Sequence, residues 1–254
     1  MRHILSWSGG KDSTAAVILC HELGLPLDEI IFCEVMYDLE RNISGENPLH
    51  IDFIYNVAKP MFESWGYKVT ILRSDRDYLY CFNHVMDNCK KYPEHNGRRY
   101  GFPLNKRCAI QRDCKLRPIK KYMKEMYSKE DCVYNYLGIC IDEPKRLQSM
   151  HKNPFNISIL EERGVTEKMA RELCVKYGLL SPGYEYSERG GCWMCCNSKV
   201  YENAFAKQYM PGIWNEFVQL EEEQGCVYSR WNAFGDTLAE RNRKVDEFLL
   251  DADG

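Results

Sequence analysis

No stretch of this 254-residue chain approaches the ~18 apolar residues needed to cross a bilayer. Met1-Arg2-His3 leads straight into an apolar segment, so no secretory leader is recognisable, and the expectation is a cytoplasmic protein without membrane partners. Internal repeats and low-complexity tracts are missing as well, which argues against solenoids and disordered linkers. The six histidines keep no metal-binding spacing; His50 and His151 read as structural or surface residues. No nucleophilic triad is visible. Charge of one sign is not in excess either, with 34 Lys and Arg against 37 Asp and Glu, so general coating of nucleic acid is disfavoured.

Cysteine, by contrast, is abundant: thirteen residues, an odd number. A reducing compartment argues against a disulfide framework. Cys20, Cys33, Cys132 and Cys174 lie among apolar neighbours and read as small core residues. A hydrophobic content of 44% over this length suffices for a full core.

The most informative run is Ser6-Trp7-Ser8-Gly9-Gly10-Lys11-Asp12-Ser13. His3-Ile4-Leu5 before it reads as a buried strand, and Thr14 to Leu23 after it as a helix closed by Gly24 and Pro26. A glycine pair between strand and helix lets backbone N–H groups face an anion, helped by the helix N-terminus. Lys11 adds a mobile cation, and Ser8 and Ser13 add hydroxyls. Asp12 is out of place in a loop that only binds phosphate, but natural where it also positions Mg²⁺ between phosphates. The run is not a Walker A loop, because Leu5 stands where that motif needs glycine and Asp12 where it needs Ser or Thr.

Strands and helices alternate downstream. Glu29–Met36, Tyr67–Leu72 and Cys132–Ile139 read as strands, and Leu49–Trp65 carries a helical apolar stripe. The pattern predicts an α/β fold, a doubly wound and mainly parallel sheet, with ligands beyond the carboxyl ends of the strands. Residues 1–155 would form a nucleotide-binding domain and 156–254 a helical C-terminal part with the cysteine cluster. Asp75–Arg107, with Pro93, Gly97, Gly101 and Pro103, reads as a flap over the site. Helices are expected at Lys115–Met126, Thr166–Tyr177, Tyr201–Glu223 and Asp236–Leu250.

Gly190-Gly191-Cys192-Trp193-Met194-Cys195-Cys196 is the second strong signal. A Cys-x-x-Cys spacing lets two thiolates grip one metal, and Cys108 and Cys114 are the obvious further ligands of Cys192 and Cys195. Cys196 would serve a cluster or stay free. Four thiolates suit Zn²⁺ or an iron–sulfur cluster equally well on spacing. Between Lys90 and Lys124, twelve Lys and Arg face only Glu94 and Asp113, which marks a polyanion site. Arg107, Arg112 and Lys115 there, and Arg146 beyond the fourth strand, are candidate anion ligands. Lys120, Lys121 and Lys124 read as the wet face of a helix whose apolar side is Leu116, Ile119, Met123 and Met126. Gly138 to Arg146 follows the fourth strand, where Glu143 and Arg146 would face a nucleotide or pair with each other. Asp38, Glu40 and Arg41 follow the second strand in the same way.

Ser-Gly-Gly-Lys-Asp-Ser resembles the loop of the adenine-nucleotide alpha hydrolase superfamily. Pieces from Ile4 to Cys196 resemble its phosphoadenosine phosphosulfate (PAPS) reductase family, above all bacterial and phage relatives. They are Ser8–Ser13; Ser44–His50, similar to a Pro-x-His segment; Cys108 with Lys115 and Pro118, similar to Cys-Thr…Lys-x-x-Pro; Gly138–Pro144, in register with Gly-x-Arg-x-x-Glu-Ser; and Ile159–Tyr184 followed by Cys192–Cys196. The resemblance implies a Rossmann-like, adenine nucleotide alpha hydrolase-like fold that binds ATP or a related adenine nucleotide. Ser6, Ser8, Gly9, Gly10, Lys11, Asp12, Ser13, Asp38, Gly138 and Glu143 would do so, with Lys11 and Asp12 catalytic.

The departures shape the functional reading. The reductases attack sulfur with a cysteine in a C-terminal Glu-Cys-Gly-(Leu/Ile)-His motif, whereas Cys226 here sits in Gln-Gly-Cys-Val and the chain ends Asp-Ala-Asp-Gly. Cys140 and Pro144 replace the family's arginine and serine. The first expectation is therefore ATP-dependent adenylation and sulfur transfer with pyrophosphate release, using Mg²⁺ and a cysteine-bound 4Fe–4S cluster. The sulfur acceptor is left open, nucleic acid included, and a homodimer is compatible. The alternatives are a reductase of PAPS or adenylyl sulfate that releases sulfite, and a non-catalytic nucleotide- or nucleic-acid-binding module with structural zinc.

Overall fold

Arg2–Trp7 forms β1, whose inner residues Ile4, Leu5 and Trp7 are buried. In this computed structural model, residues 1–105, 107–127, 132–187, 191–223, 225–232 and 235–252 are described, with backbone only for 104, 105, 107 and 252. Among them no helix is long and apolar enough to cross a membrane. Helix α1 (Lys11–Glu22) follows β1, and β2 (Glu29–Glu34), β3 (Lys68–Arg73), β4 (Val133–Leu137) and β5 (Asn156–Ile157) complete a five-stranded sheet in the order β5-β4-β1-β2-β3. Pairings β1–β2, β1–β4 and β4–β5 are parallel, with Trp7 opposite Phe32 and Ser6 opposite Leu137. Parallel neighbours need long crossovers, which explains the alternation of strands and helices. The chain leaves β1 toward β2 on one side and returns as β4 on the other, so a crevice opens beyond the carboxyl ends of these two strands. The expected α/β class with a mainly parallel sheet is the one observed.

Contacts divide the chain into two units, each assembled from three stretches: Met1–Cys33, Leu49–Leu72 and Ile119–Gly190; and Glu34–Pro48, Arg73–Pro118 and Gly191–Gly254. This differs from the single cut expected at residue 155, because both excursions between sheet strands belong to the second unit. The first unit's core gathers Leu5, Val17, Ile30, Phe32, Ile54, Phe62, Leu160 and Leu179. The second unit's core gathers Tyr37, Tyr78, Phe82, Phe102, Trp193, Trp214, Phe217 and Trp231. Asp75–Arg107 is thus no free flap. Its helix Tyr78–Asn83 buries Tyr78 and Phe82, and its strand Arg99–Gly101 pairs in parallel with Cys226–Tyr228.

Prolines account for most departures from the expected helices. The helical stretch 48–64 contains a π-helical segment, Ile54–Ala58, that ends two residues before Pro60. The segment Gln111–Leu116 is likewise π-helical and ends two residues before Pro118. Proline lacks an N–H and its ring clashes with the carbonyl one α-turn back, and a wider turn moves that carbonyl aside. Pro211 splits the expected helix at 201–223 into Val200–Tyr209 and Pro211–Gln219. The helix Arg117–Met126 exposes Lys120, Lys121 and Lys124 as expected, but Leu116 and Met126 are exposed too, so its apolar stripe is only half covered.

Candidate functional site

The loop after β1 turns at Gly9, whose φ of +76° suits glycine. A side chain there would also strike His50, with a Cβ only 2.7 Å from Nε2. Buried His50 in turn braces the loop: Nε2 lies 3.1 Å from the Ser8 carbonyl oxygen, and Nδ1 lies 2.9 Å from Ser181 Oγ. The Ser8 amide donates to Ser13 Oγ (3.1 Å), the two hydroxyls are 3.0 Å apart, and Ser13 Oγ donates to the Gly10 carbonyl (3.1 Å). Gly10 is the N-cap of α1 and contributes no side-chain cap to the first-turn N–H groups of the helix. The Lys11 amide donates to the Tyr184 hydroxyl (2.9 Å). The end of β4 presses on the same turn at Gly138, where a Cβ would lie 2.4 Å from the Ser13 nitrogen.

These groups line a cavity of about 320 Å³: Ser8, Gly10, Lys11, Asp12, Ser13 and Tyr184 together with Gly138, Glu143, Arg146 and Glu167. Lys11 Nζ donates to Asp12 Oδ1 and Glu167 Oε2, both at 2.7 Å. Burial alone would push the Lys11 pKa down, but these two hydrogen bonds outweigh it and hold the ammonium above its ordinary range. Arg146 pairs with Glu143, whose other oxygen accepts from the Cys140 amide (3.1 Å). The Cys140 thiol donates to Asp12 Oδ1 (3.3 Å), and burial, reinforced by Asp12, keeps it protonated. Donor atoms of Asp12, Cys140 and Glu143 lie within 4.8 Å of one another. Two cations therefore face three carboxylates in the cavity. A bare phosphate would meet net negative charge there, whereas a phosphate carrying a divalent cation would not.

Of the sequence-predicted nucleotide ligands, Ser8, Gly10, Lys11, Asp12, Ser13, Gly138 and Glu143 line this cavity, and Gly9 forms its turn. Ser6 instead donates to Asn135 Oδ1 (2.9 Å) on β4. Asp38 belongs to the second unit, on the strand Met36–Asp38 antiparallel to Ile43–Ser44, and is held by Arg41 (2.6 Å). The anion set is not gathered in one unit: Arg146 lines the first unit's cavity, whereas Arg112 and Lys115 lie in the second. Arg112 forks onto Asp113 (2.9 and 2.6 Å), and Lys115 Nζ is 3.9 Å from Glu46. The side chain of Arg107, all of Lys106 and Gly190 lie outside the described residues. Sequence reasoning missed Glu167 and gave Tyr184 and His50 no role in the loop. Thr166, which caps the helix Glu167–Lys176, was the only local signal near Glu167.

The second unit holds the thiols. Trp193 donates its amide to the Gly45 carbonyl (3.0 Å) and its indole N–H to the Ser44 carbonyl (2.9 Å), which seats the loop 192–196 on residues 44–46. Burial raises the Cys108, Cys192 and Cys196 thiols, Cys196 to about 11, and the charge of Cys195 raises each further. Cys108 acts on Cys192 and Cys196 in the same way, so the four thiols share one region of the second unit, although no three of their sulfurs fall within 4.8 Å of one another. Cys114, on the π-helical segment, has its Sγ 3.8 Å from Cys81 Sγ. The hydroxyl of buried Tyr78 has no hydrogen-bond partner among the described residues. Burial and Tyr37 raise its pKa, as do Cys196, Cys108 and Cys195. An orphan donor within electrostatic reach of three thiols, with the Gln111 amide already donating to Cys108 Sγ (3.3 Å), fits a centre rich in anionic sulfur.

No protein-family model matches the chain. An uncharacterized protein of Methanocaldococcus jannaschii is 24% identical over 232 residues, which are 87% of this chain and 41% of that protein. The chain thus spans about two fifths of the length of the curated relative it matches. Among solved structures, the U34-tRNA thiolase NcsA from Methanococcus maripaludis, with its four-iron four-sulfur cluster, is similar over 89% of this chain and 73% of that one, at 18% identity and a TM-score of 0.43.

Proposed function

We propose that the chain is an ATP-dependent adenylating enzyme that moves sulfur onto the activated acceptor. The observation that carries the reading is the cavity at the N-terminus of α1, where Lys11 is shared between Asp12 and Glu167. The first-turn N–H groups and Lys11 suit the α-phosphate and the departing pyrophosphate, and Asp12 with Glu143 suits the Mg²⁺ that travels with ATP. An acceptor oxygen attacks the α-phosphorus, the bond to the β-phosphate oxygen breaks, and pyrophosphate leaves. A sulfur nucleophile then displaces AMP from the adenylated carbon. Adenylation is required because a carbonyl or hydroxyl oxygen is otherwise a poor leaving group. Lys11 contributes by meeting charge that grows on the phosphates in the transition state.

Cys108, Cys192, Cys195 and Cys196 are the residues that would hold an iron–sulfur cluster, which when bound supplies a carrier for sulfide; zinc on the same thiols would only brace the loop. Tyr78 would donate a hydrogen bond to the sulfur of either centre. Pyrophosphate and AMP release from ATP, measured with and without Lys11→Ala, tests the reading. A fall of about 10²–10³-fold in the variant is expected for loss of a transition-state cation. Unchanged release would remove the phosphate role, and sulfite release from PAPS would select the reductase alternative.

A further inference from the structure

The second unit contains a cavity of about 190 Å³ that the proposed chemistry does not use. Cys81, on the helix Tyr78–Asn83, is 7% exposed and lines it, and Cys114, fully buried, lies behind Cys81 at an Sγ–Sγ distance of 3.8 Å. The walls carry both signs of charge, Arg76 and Arg112 against Asp87 and Asp113. Arg76 stacks over the Tyr80 ring at 5.2 Å, and Arg112 is held by Asp113. A thiol in the wall of the pocket backed by a second buried thiol, where both a carboxylate and an ammonium group can be met, is the arrangement of a small-molecule dithiol site.

We infer that Cys81 and Cys114 form a thiol–disulfide exchange site that reduces the S–S bond of a small zwitterionic disulfide or persulfide of amino-acid type. The Cys81 thiolate attacks one sulfur of the bound S–S bond, a mixed disulfide forms, and the other half leaves as a thiolate that takes up a proton. The Cys114 thiolate then attacks Cys81 Sγ and expels the second half, closing a Cys81–Cys114 disulfide. Two electrons and two protons pass from the protein dithiol to the substrate. A disulfide yields two thiols, and a persulfide yields one thiol and hydrogen sulfide. The inference is independent of ATP binding, since every residue it uses lies in the second unit.

The full-length chain, purified reduced and without oxygen, is mixed with cystine and in a second arm with cysteine persulfide. Peptide mapping by mass spectrometry should find Cys81 linked to Cys114 before other pairs oxidise. Release should be one cystine's worth of cysteine per chain in the first arm, and cysteine with hydrogen sulfide in the second. Reaction in one arm alone identifies which source the site takes. Cys114→Ser should trap a cysteine adduct on Cys81, and Cys81→Ser should abolish the early reaction. Cystamine, which lacks the carboxylates, should react about tenfold more slowly than cystine, and Arg76→Ala should erase most of that preference. Adducts spread evenly over the other cysteines, or equal rates with cystine and cystamine in the folded wild-type chain, would overturn the inference.

Discussion

Gly138 comes so near the first turn of α1 that a Cβ would lie 2.4 Å from the Ser13 nitrogen and 2.5 Å from its Cα. The obstacle is backbone, which cannot swing aside as a side chain can. Gly138→Ala should therefore push β4 and the loop apart at a cost of about 1–3 kcal/mol. Thermal unfolding should fall by several degrees, at about 2–4 °C per kcal/mol for a chain of this size. Calorimetric titration with MgATP should show weakened binding in the same variant.

Glu167 competes with phosphate for the Lys11 ammonium. Its side chain is about half exposed (49%), so the ion pair contributes no more than about 0.5–1 kcal/mol. Glu167→Gln should release Lys11 and tighten MgATP binding about threefold to fivefold in a competition assay. Weaker binding would instead mean that Glu167 orients Lys11 for the phosphate.

A buried carboxylate predicts the acid limit of the first unit. Glu29, on β2, is 2% exposed and accepts from Lys68 (2.7 Å), Tyr122 (2.7 Å), Tyr127 (2.6 Å) and Thr70. Burial alone would raise its pKa, but the bonds to Lys68, Thr70 and the two tyrosines win and lower it to about 2. A depressed folded-state pKa stabilises the fold above about pH 4.5, and that contribution is lost as pH falls from there toward 2. Urea unfolding of wild type at pH 6 and pH 3 should differ by more than that of Glu29→Gln, by on the order of 1–2 kcal/mol.

Oxygen-free protein should carry iron and acid-labile sulfide with a brown absorption band. Cys195→Ser, and Cys108→Ser likewise, should lose most of the iron, whereas Cys114→Ser should retain it because Cys114 faces Cys81. Zinc in place of iron, with no visible band, would exclude the cluster.

Local chemistry was readable from the residues alone. The turn at Gly9 and Gly10, the helix it opens and the cations and hydroxyls around it lie within eight consecutive positions, so their pattern survives without tertiary knowledge. Partners from afar were not readable. Glu167 and Tyr184 reach Lys11 from 156 and 173 residues away, and no spacing rule connects them. Strand signals do not reveal that the chain leaves the sheet after Glu34 and folds back as a two-strand ribbon carrying Asp38. The 3.8 Å approach of Cys114 to Cys81 was not readable for a helical reason: a π turn before Pro118 changes which direction each side chain takes, and α-helical counting cannot anticipate it.

The interleaved make-up of the two units bears on how the polypeptide is born. The first hydrophobic core needs Leu179 and the second needs Val245, so neither can close until most of the chain has left the ribosome. Segments 34–48 and 73–118 must wait, with Tyr37, Phe82 and Phe102 uncovered, for the final stretch that completes their core. Vectorial synthesis thus offers no safe early intermediate, and a nascent chain stalled near residue 155 would present unfinished apolar surface from both units to chaperones and to neighbouring copies.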